Sequence, residues 1–271
     1  MKLAIAGAAG RMGRALIEAL GHAKDLTLAA ALEASGHPQL GKDAGDFIGV
    51  AIGVRLTADV AAGVATSDCL IDFTKADGAL EHLAACVRSG KRAVIGTTGF
   101  TVEQKAEITA AAQRIPIVLS PNFAVGVNVA FKLAEEAARA LGDSYDVEII
   151  EAHHRHKIDA PSGTALRLGE TIAAALGRDL KTCAVYGRRG ITGEREAKTI
   201  AFHAIRGGDI VGEHTVIFAG EGERVEIAVR SASRMTYAHG ALRAARWLEG
   251  KSPGLYDMAD VIGLSRTAAR E

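Results

Sequence analysis

The sequence predicts an α/β fold: a doubly wound parallel sheet with a second, α+β domain. In roughly the first 120 residues, short apolar runs alternate with amphipathic stretches, which is typical of buried parallel strands with helices on both faces. A glycine-rich turn follows the first run and leads into the first helical stretch. After about residue 122 the pattern changes to a long helix and then to alternating runs connected by turn signals. These three observations place the parallel sheet first in the chain.

Each apolar run in the first part predicts one strand. The runs are Leu3–Ala6, Leu26–Leu32, Cys69–Asp72, Ala93–Ile95 and Pro116–Leu119. Between them, helical spacing of apolar residues predicts helices over 11–20, 76–89 and 101–112. The segment 34–52 is rich in glycine and poor in apolar residues, so it predicts a loop.

The second part of the chain mixes helices and strands. Helical patterns predict helices over 129–141, 164–176 and 235–248. Strand patterns cover 146–152, 198–206, 210–218 and 223–230, and the last three are joined by Gly-Gly-Asp and Gly-Glu-Gly-Glu turns. This order of elements indicates an α+β domain.

Composition excludes several classes of protein. A length of 271 residues fits one large or two modest domains. Lys plus Arg equals Asp plus Glu at 32 each, which argues against nucleic acid or an anionic membrane as the main partner. No stretch approaches the roughly 20 apolar residues of a membrane span. The three cysteines are odd in number and widely spaced, so we expect neither a disulfide framework nor a zinc site, and we expect a cytoplasmic location.

The segment Gly7-Ala-Ala-Gly-Arg-Met-Gly13 lies between the first predicted strand and the first predicted helix. Glycine suits such a turn because it allows a tight bend, close approach of the backbone to a pyrophosphate, and close packing of the helix on the strand. The helix N-terminus adds N–H groups and a positive dipole end. The turn therefore predicts a dinucleotide site, although a turn built only for packing would use the same glycines.

Glu33 ends the second apolar run about 20 residues after Gly13, where an acidic side chain accepts hydrogen bonds from the adenosine ribose. Residue 34 is Ala, so the guanidinium that a 2′-phosphate needs is missing there, although Arg11 could supply charge. Glu33 would also repel that phosphate. The expected cofactor is NADH, with NADPH tolerated. Considered alone, Glu33 could equally be an ordinary exposed carboxylate.

Two further turns, Gly96-Thr-Thr-Gly99 and Ser120-Pro-Asn-Phe123, directly follow predicted strands. They fall at the carboxyl ends of those strands, which is the edge where open α/β sheets hold ligands. Each of them alone could be merely a turn.

The stretch 151–164, Glu-Ala-His-His-Arg-His-Lys-Ile-Asp-Ala-Pro-Ser-Gly-Thr, holds three of the nine histidines. Imidazole titrates at about pH 6.5 and so can donate a proton at neutral pH, while a lysine holds a carboxylate as a point charge. The N–H groups of Gly163 and Thr164, at the start of a predicted helix, form a second anion site. One proton donor and two carboxylate-binding groups suit the reduction of a small dicarboxylate.

Two other interpretations of this stretch stay open. A metal site could use at best His154 and His156, because adjacent side chains on an extended backbone point to opposite faces. Alternatively, the stretch is a solvated basic turn.

Taken together, the glycine turn and the stretch 151–164 closely resemble the 4-hydroxy-tetrahydrodipicolinate reductase (dihydrodipicolinate reductase) family of bacterial diaminopimelate and lysine biosynthesis. The resemblance spans nearly the whole chain and includes Ile71-Asp-Phe-Thr74, Val94-Ile-Gly-Thr-Thr-Gly-Phe100, Asn122-Phe-Ala-Val-Gly-Val-Asn128 and Ser233-Arg-Met-Thr236. It implies a Rossmann-like dinucleotide-binding domain over 1–124 plus 234–271. It also implies a domain over 125–233 for substrate binding and oligomerisation.

The resemblance implies a role for each matching residue. His153 matches the proton donor and Lys157 a second catalytic or substrate-holding group, and the substrate carboxylates would contact His154, Gly163 and Thr164. The implied cofactor contacts are Gly7, Ala8, Ala9, Gly10, Arg11, Met12, Glu33, Gly96, Thr97, Thr98, Ser120, Pro121, Asn122 and Phe123. Ala34 departs from the members that carry an arginine there.

The implied reaction is NAD(P)H-dependent reduction of 4-hydroxy-tetrahydrodipicolinate to tetrahydrodipicolinate with loss of water, in a homotetramer. Because the two motifs fall on separate domains, we expect domain closure before hydride transfer. The alternatives are another NAD(P)H-dependent imine reductase or amino-acid-pathway dehydrogenase, and a non-catalytic NADH sensor.

Overall fold

The computed structural model describes residues 1–264, which form two compact units. The first unit contains Met1–Val125 and the chain from Arg234 onward, and the second contains Gly126–Ser233. Residues 265–271, which the predicted dinucleotide-binding domain includes, lie outside the described residues.

Strands and helices alternate along most of the chain. The strands are β1 (Lys2–Ala6), β2 (Thr27–Leu32), β3 (Leu56–Thr57), β4 (Cys69–Asp72), β5 (Arg92–Ile95), β6 (Pro116–Leu119), β7 (Asp146–His153), β8 (Ala184–Tyr186), β9 (Ile200–Arg206), β10 (Gly212–Ala219), β11 (Arg224–Ser231) and β12 (Gly254–Tyr256). The helices are α1 (Arg11–Gly21), α2 (Val60–Ala65), α3 (Ala76–Ser89), α4 (Val102–Ala112), α5 (Val125–Leu141), α6 (Gly163–Ala175), α7 (Leu180–Cys183), α8 (Met235–Trp247) and α9 (Met258–Ile262). Short 3₁₀ helices cover Ala44–Ile48 and Gly142–Ser144.

The first unit is built on a seven-stranded parallel sheet in the order β12-β6-β5-β4-β1-β2-β3. Alternate residues of β1 enter two hydrophobic clusters: Leu3 and Ile5 pack with residues of α1 and α8, whereas Ala4 and Ala6 pack with residues of α3 and α4. Helices thus cover both faces, which explains why these strands are apolar without alternation. The predicted doubly wound parallel sheet is confirmed.

The second unit contains a five-stranded mixed sheet in the order β11-β10-β7-β9-β8. Strand β7 pairs antiparallel with β10 and parallel with β9. Residues of α5 and α6 pack on one face of this sheet, in a cluster that includes Ile149, Leu168, Phe202 and Phe218. Residues of β10 alternate between buried and half-buried, because they point in turn to the helices and to the more exposed face.

The turn Gly207-Gly208-Asp209 does not close a hairpin, because β7 lies between β9 and β10. Its backbone contacts the end of β7 instead. The Gly207 N–H donates to the His153 carbonyl at 3.0 Å, and the Gly208 carbonyl accepts from Arg155 N at 3.2 Å. The following turn, over 220–223, does connect an antiparallel pair, β10 and β11.

Other differences concern short elements and element ends. Helix α5 begins four residues before its predicted start, and the Asn122 side chain accepts from Ala124 N just ahead of it at 2.8 Å. The strands β3, β8 and β12 and the helices α2, α7 and α9 were not expected from the sequence pattern. Within residues 1–264, the helices are all too short or too polar to cross a bilayer.

Candidate active site

The glycine turn joins β1 to α1 and closes tightly on itself. Gly7 has a positive φ of 65°, and its carbonyl accepts from Gly10 N at 2.9 Å. A Cβ atom on Gly13 would lie 2.2 Å from the Gly7 carbonyl oxygen, so only glycine allows α1 to pack this closely on the turn. Helix α1 starts at Arg11 without a side-chain cap. The first N–H groups of this helix therefore lie at the carboxyl edge of the sheet, where an anion can accept from them.

Glu33 follows β2 and reaches the glycine turn. Its Oε2 accepts from Ala9 N and its Oε1 from Ala34 N, each at 3.0 Å. Ala34 itself is exposed. The structure therefore places a carboxylate and a small exposed side chain directly beside the turn.

The turns after β5 and β6 lie at the same edge of the sheet as the glycine turn, because all these strands are parallel. Several of their side chains are engaged within the protein. Thr97 is buried and donates to Asp72, the Ser120 hydroxyl donates to the Asn122 carbonyl at 2.9 Å, and Phe123 is fully buried. A ligand at these turns would therefore contact the backbone or the exposed Thr98 rather than those three side chains. We call the carboxyl ends of β1, β2, β5 and β6 the nucleotide edge.

Sequence reasoning missed a polar cluster at the end of β4. Oδ1 of the buried Asp72 accepts from the Thr74 hydroxyl at 2.7 Å and from the Thr97 hydroxyl at 3.0 Å, and its Oδ2 lies 2.6 Å from Nδ1 of His82. Burial raises the pKa of the Asp72 carboxyl, but His82 and the Thr74 hydrogen bonds outweigh that effect, and the pKa lies below its usual value. A Cβ on Gly7 would lie 3.0 Å from the Thr74 methyl group, so the cluster supports the glycine turn. A charged residue ending a wholly apolar run was the signal available in the sequence.

In the second unit, His153 is the last residue of β7 and is almost fully buried. Its Nδ1–H donates to Oε2 of Glu151 at 2.6 Å. Arg206 on β9 donates to both oxygens of the same carboxylate at 2.7 Å. Burial lowers the pKa of His153 and the Glu151 carboxylate opposes this, but Lys157 and Arg206 add to the lowering, so the pKa lies below its usual value.

A second buried histidine, His214 on β10, stacks edge-on against His153 with ring centroids 5.2 Å apart. Its Nε2 lies 2.8 Å from the Ser162 hydroxyl oxygen, which also accepts from Ala165 N and caps α6. The direction of this hydrogen bond follows the tautomer of His214, since a hydroxyl group can both donate and accept. Burial, together with the proximity of His153, lowers the pKa of His214 to about 4.

The loop between β7 and α6 carries the other predicted residues. Lys157 forms an ion pair with Asp159 at 2.9 Å, and Gly163 and Thr164 are the first two residues of α6, at the positive end of its dipole. Nδ1 of His154 is buried, with no hydrogen-bond partner among residues 1–264. The rings of His154 and His156 lie 6.2 Å apart, and across the described chain no group of three His, Cys, Asp or Glu side chains is arranged to hold a metal ion. We call His153, His154, Lys157, Gly163 and Thr164 the histidine cluster.

Comparison with known proteins decides the family. Residues 1–123 match the N-terminal domain of dihydrodipicolinate reductase, and residues 126–262 match its C-terminal domain. The chain belongs to the dihydrodipicolinate reductase family. It is 61% identical to the 4-hydroxy-tetrahydrodipicolinate reductase of Aromatoleum aromaticum, over 97% of this chain and 96% of that protein. It is 62% identical to the enzyme of the same name from Burkholderia pseudomallei, over 97% of this chain and the whole of that one.

A solved structure of a dihydrodipicolinate reductase supports the fold. The enzyme from Paenisporosarcina sp. TG-14, described as dipicolinate-bound, is 26% identical, covers 97% of this chain and 99% of its own, and superposes with a TM-score of 0.77. The family resemblance stated from the sequence is thereby confirmed.

Proposed function

We propose that this member of the dihydrodipicolinate reductase family reduces 4-hydroxy-tetrahydrodipicolinate to tetrahydrodipicolinate, with loss of water, in diaminopimelate and lysine biosynthesis. NADH or NADPH is the reductant. The observation that carries the proposal is the histidine cluster: the buried imidazole of His153 bonds Glu151, whose carboxylate also accepts from Ser162 N at the start of α6, and Lys157 lies in the loop that leads to this helix. This arrangement offers one proton donor and two separate places for a carboxylate.

The nucleotide edge fits a dinucleotide. The turn at Gly7 and the glycine required at position 13 let α1 pack closely on the turn, and no side chain caps this helix, so its first N–H groups can bind a pyrophosphate. The residues that would hold the cofactor are those of 7–12, Glu33 and the backbone of 96–98 and 120–123. When bound, the reduced nicotinamide supplies the hydride.

The residues of the histidine cluster would then handle the substrate. His153 presents Nε2 as the proton donor, since its Nδ1–H is held by Glu151. Lys157 binds one carboxylate, which must displace Asp159 from the ammonium group. Gly163 and Thr164 hold the second carboxylate at the N-terminus of α6, and His154 lies in the same loop. Hydride transfer requires the substrate to contact the nicotinamide, so we propose that the two units close on each other during turnover.

The substitution His153→Ala tests the proton-donor role. We expect turnover to fall by about a hundredfold or more, the usual scale for loss of a general acid, while NADH binding is unchanged. His203→Ala is the matched control, because His203 also bonds a β7 carboxylate, Glu148, at 2.6 Å but lies outside the histidine cluster. Unchanged turnover in His153→Ala would remove the assignment. Oxidation of NADH with other imines but not with this substrate would favour another imine reductase, and NADH binding without any turnover would favour a sensor.

We further propose that NADH is preferred over NADPH. Glu33 lies 3.0 Å from the glycine turn, so its negative charge stands where the adenosine ribose would lie, and Ala34 offers no charge to a 2′-phosphate. Ala34→Arg is expected to raise kcat/KM for NADPH relative to NADH by about tenfold or more, because an arginine–phosphate hydrogen bond contributes about 1.5–3 kcal/mol. An unchanged ratio would mean that residue 34 does not face the ribose.

We also propose a homotetramer assembled through the second unit. One face of its sheet is only partly covered, and Ile205 on that unit's β9 remains about half exposed. Sedimentation equilibrium measures the mass directly, and a monomer would refute this assembly.

A further inference from the structure

The carboxylate of Glu151 is completely enclosed by hydrogen-bond donors. Its Oε1 accepts from Arg206 at 2.7 Å and from Ser162 N at 3.1 Å. Its Oε2 accepts from the other guanidinium nitrogen of Arg206 at 2.7 Å and from Nδ1 of His153 at 2.6 Å. The residue is 1% exposed. Only an ionised carboxylate can accept all four of these hydrogen bonds at once.

This enclosure determines which nitrogen of His153 can react. Because Oε2 can only accept, the proton on Nδ1 is fixed there, and Nε2 is left as the nitrogen that exchanges a proton with a ligand. A Cβ on Gly212 would lie 3.2 Å from this Nε2, so glycine at that position keeps the space next to the reactive nitrogen open.

The charges around His153 come from four elements. Glu151 on its own strand favours the imidazolium, whereas Arg206 on β9 and Lys157 in the following loop disfavour it. His214 on β10 packs on the ring and stays neutral near pH 7, because its pKa is about 4. Glu151 is therefore the only anion among these neighbours, and Arg206 is the cation that holds it in place. Arg206 also donates to the Asp159 carbonyl at 2.7 Å, which joins the carboxylate to the loop that carries Lys157.

We propose that Glu151 and Arg206 are positioning residues for the proton donor of the reaction. Glu151 fixes the tautomer of His153 and stabilises its protonated form, and Arg206 keeps that carboxylate ionised and oriented. The inference rests on the proposed function of His153, but its effect on the imidazole itself is measurable without any substrate.

The isosteric change Glu151→Gln separates this role from simple packing. Both oxygens of Glu151 receive two donors, but Nδ1 of His153 can become an acceptor whereas the Ser162 N–H at the Oε1 site cannot. The amide oxygen is therefore expected at the Oε1 site and the NH₂ group beside Nδ1 of His153. The imidazole must then accept at Nδ1, and its protonated form loses the Glu151 carboxylate as a partner. Arg206→Gln has the opposite electrostatic effect, since it removes a cation from the protonated ring.

The experiment combines ¹⁵N-histidine NMR titration with pH–rate profiles of the full-length protein. His153→Gln identifies the resonance of His153, and circular dichroism with NADH binding establishes that each variant is folded. In Glu151→Gln we expect the His153 titration and the pH–rate profile to move to lower pH by at least about one unit. Turnover at pH 7.5 should fall about tenfold. The ¹⁵N signal of Nδ1 should change to that of a nitrogen that accepts a hydrogen bond. In Arg206→Gln both curves move to higher pH, and Arg206→Lys restores them toward the wild-type position.

Glu148→Gln is the matched control, because Glu148 is a β7 carboxylate that likewise bonds a histidine and arginines, and it should leave the His153 titration unchanged. Shifts in the same direction for Glu151→Gln and Arg206→Gln, or reduced turnover with an unaltered His153 titration, would overturn the proposal. If the titrations move as expected while the wild-type protein does not reduce the substrate, the proposed function fails and the positioning role stands.

Discussion

The buried, neutral His214 makes the second unit sensitive to mild acid. Its side chain is 5% exposed and its ring lies beside His153, so protonation places a positive charge in a buried site and costs stability. Its pKa is lowered from 6.5 to about 4, by burial first and by the nearby His153 second. The unfolded chain therefore binds a proton at this residue between these two pH values, whereas the folded chain does not.

The size of the effect follows from linkage. One pKa unit corresponds to about 1.4 kcal/mol, so neutral His214 contributes up to about 3 kcal/mol of stability, present in full above about pH 6.5 and lost as the pH falls to 4. Between pH 7 and pH 5 the expected loss is about 2 kcal/mol. His153 adds to this loss in the same direction, since its pKa is also lowered. Carboxylates such as Glu148, with a pKa of about 2, lose their contribution at lower pH and stay outside this window.

Urea titrations followed by far-UV circular dichroism at pH 7 and pH 5 measure this loss, and the fluorescence of Trp247 reports on the first unit separately. His214→Gln keeps an amide group that can hydrogen-bond the Ser162 hydroxyl but cannot titrate, so its loss of stability between the two pH values should be smaller than that of the wild type by about 2 kcal/mol. The exposed His22→Gln is the control and should behave as wild type. Equal losses in His214→Gln and wild type would refute the reasoning, because the acid sensitivity would then not come from His214.

Two further predictions concern the first unit. Gly13→Ala places a methyl group 2.2 Å from the Gly7 carbonyl oxygen, so we expect a loss of about 1–3 kcal/mol of stability and at least tenfold weaker NADH binding by fluorescence titration. Gly21→Ala, in the same helix and with nothing within 4 Å of the new methyl group, should leave both properties nearly unchanged; similar losses in the two variants would contradict the packing argument. Asp72→Asn leaves one amide oxygen for the Thr74 and Thr97 hydroxyls, but it removes the negative charge and places an NH₂ group beside Nδ1 of His82, so it should lower the free energy of unfolding by about 1–3 kcal/mol. The exposed Asp77→Asn should have little effect, and equal unfolding free energies in Asp72→Asn and wild type would show that the cluster does not stabilise the first unit.

The parallel sheet could be predicted because each of its central strands can be recognised from its own few residues. A strand with helices on both faces is apolar at consecutive positions, so runs such as Cys69–Asp72 and Pro116–Leu119 mark their own strands. The two edge strands, β3 and β12, have no such apolar run. Leu56–Thr57 is a two-residue strand that exists only by pairing with β2, and Gly254–Tyr256 exists by pairing with β6. Pairing of this kind depends on distant parts of the chain, which a local pattern does not contain.

Some parts of the candidate site could likewise be predicted from the sequence, and others could not. The glycine turn and the loop carrying Lys157 are contiguous in sequence, so their residue types and spacing were visible at once. The Asp72 cluster was not, because it is assembled from β4, α3 and the turn after β5. Thr74, His82 and Thr97 are separated along the chain, so no sequence motif contains them, and only the folded sheet brings them together around Asp72.

Strand order explains why Arg206 was missed although Glu151 stood within the recognised stretch. If the turn over 207–209 closed a hairpin, β9 would lie beside β10, and Arg206 would fall away from the end of β7. Instead β7 separates these strands, and its register sets His153 opposite Arg206 on one side and Glu151 opposite His214 on the other. Side chains in register on neighbouring strands point to the same face, so the carboxylate, the guanidinium and both imidazoles converge there. The stretch 151–164 supplies His153 and its carboxylate partner Glu151, but Arg206 and His214 reach His153 only because β7 lies between β9 and β10. The pKa of His153 thus depends on the strand order.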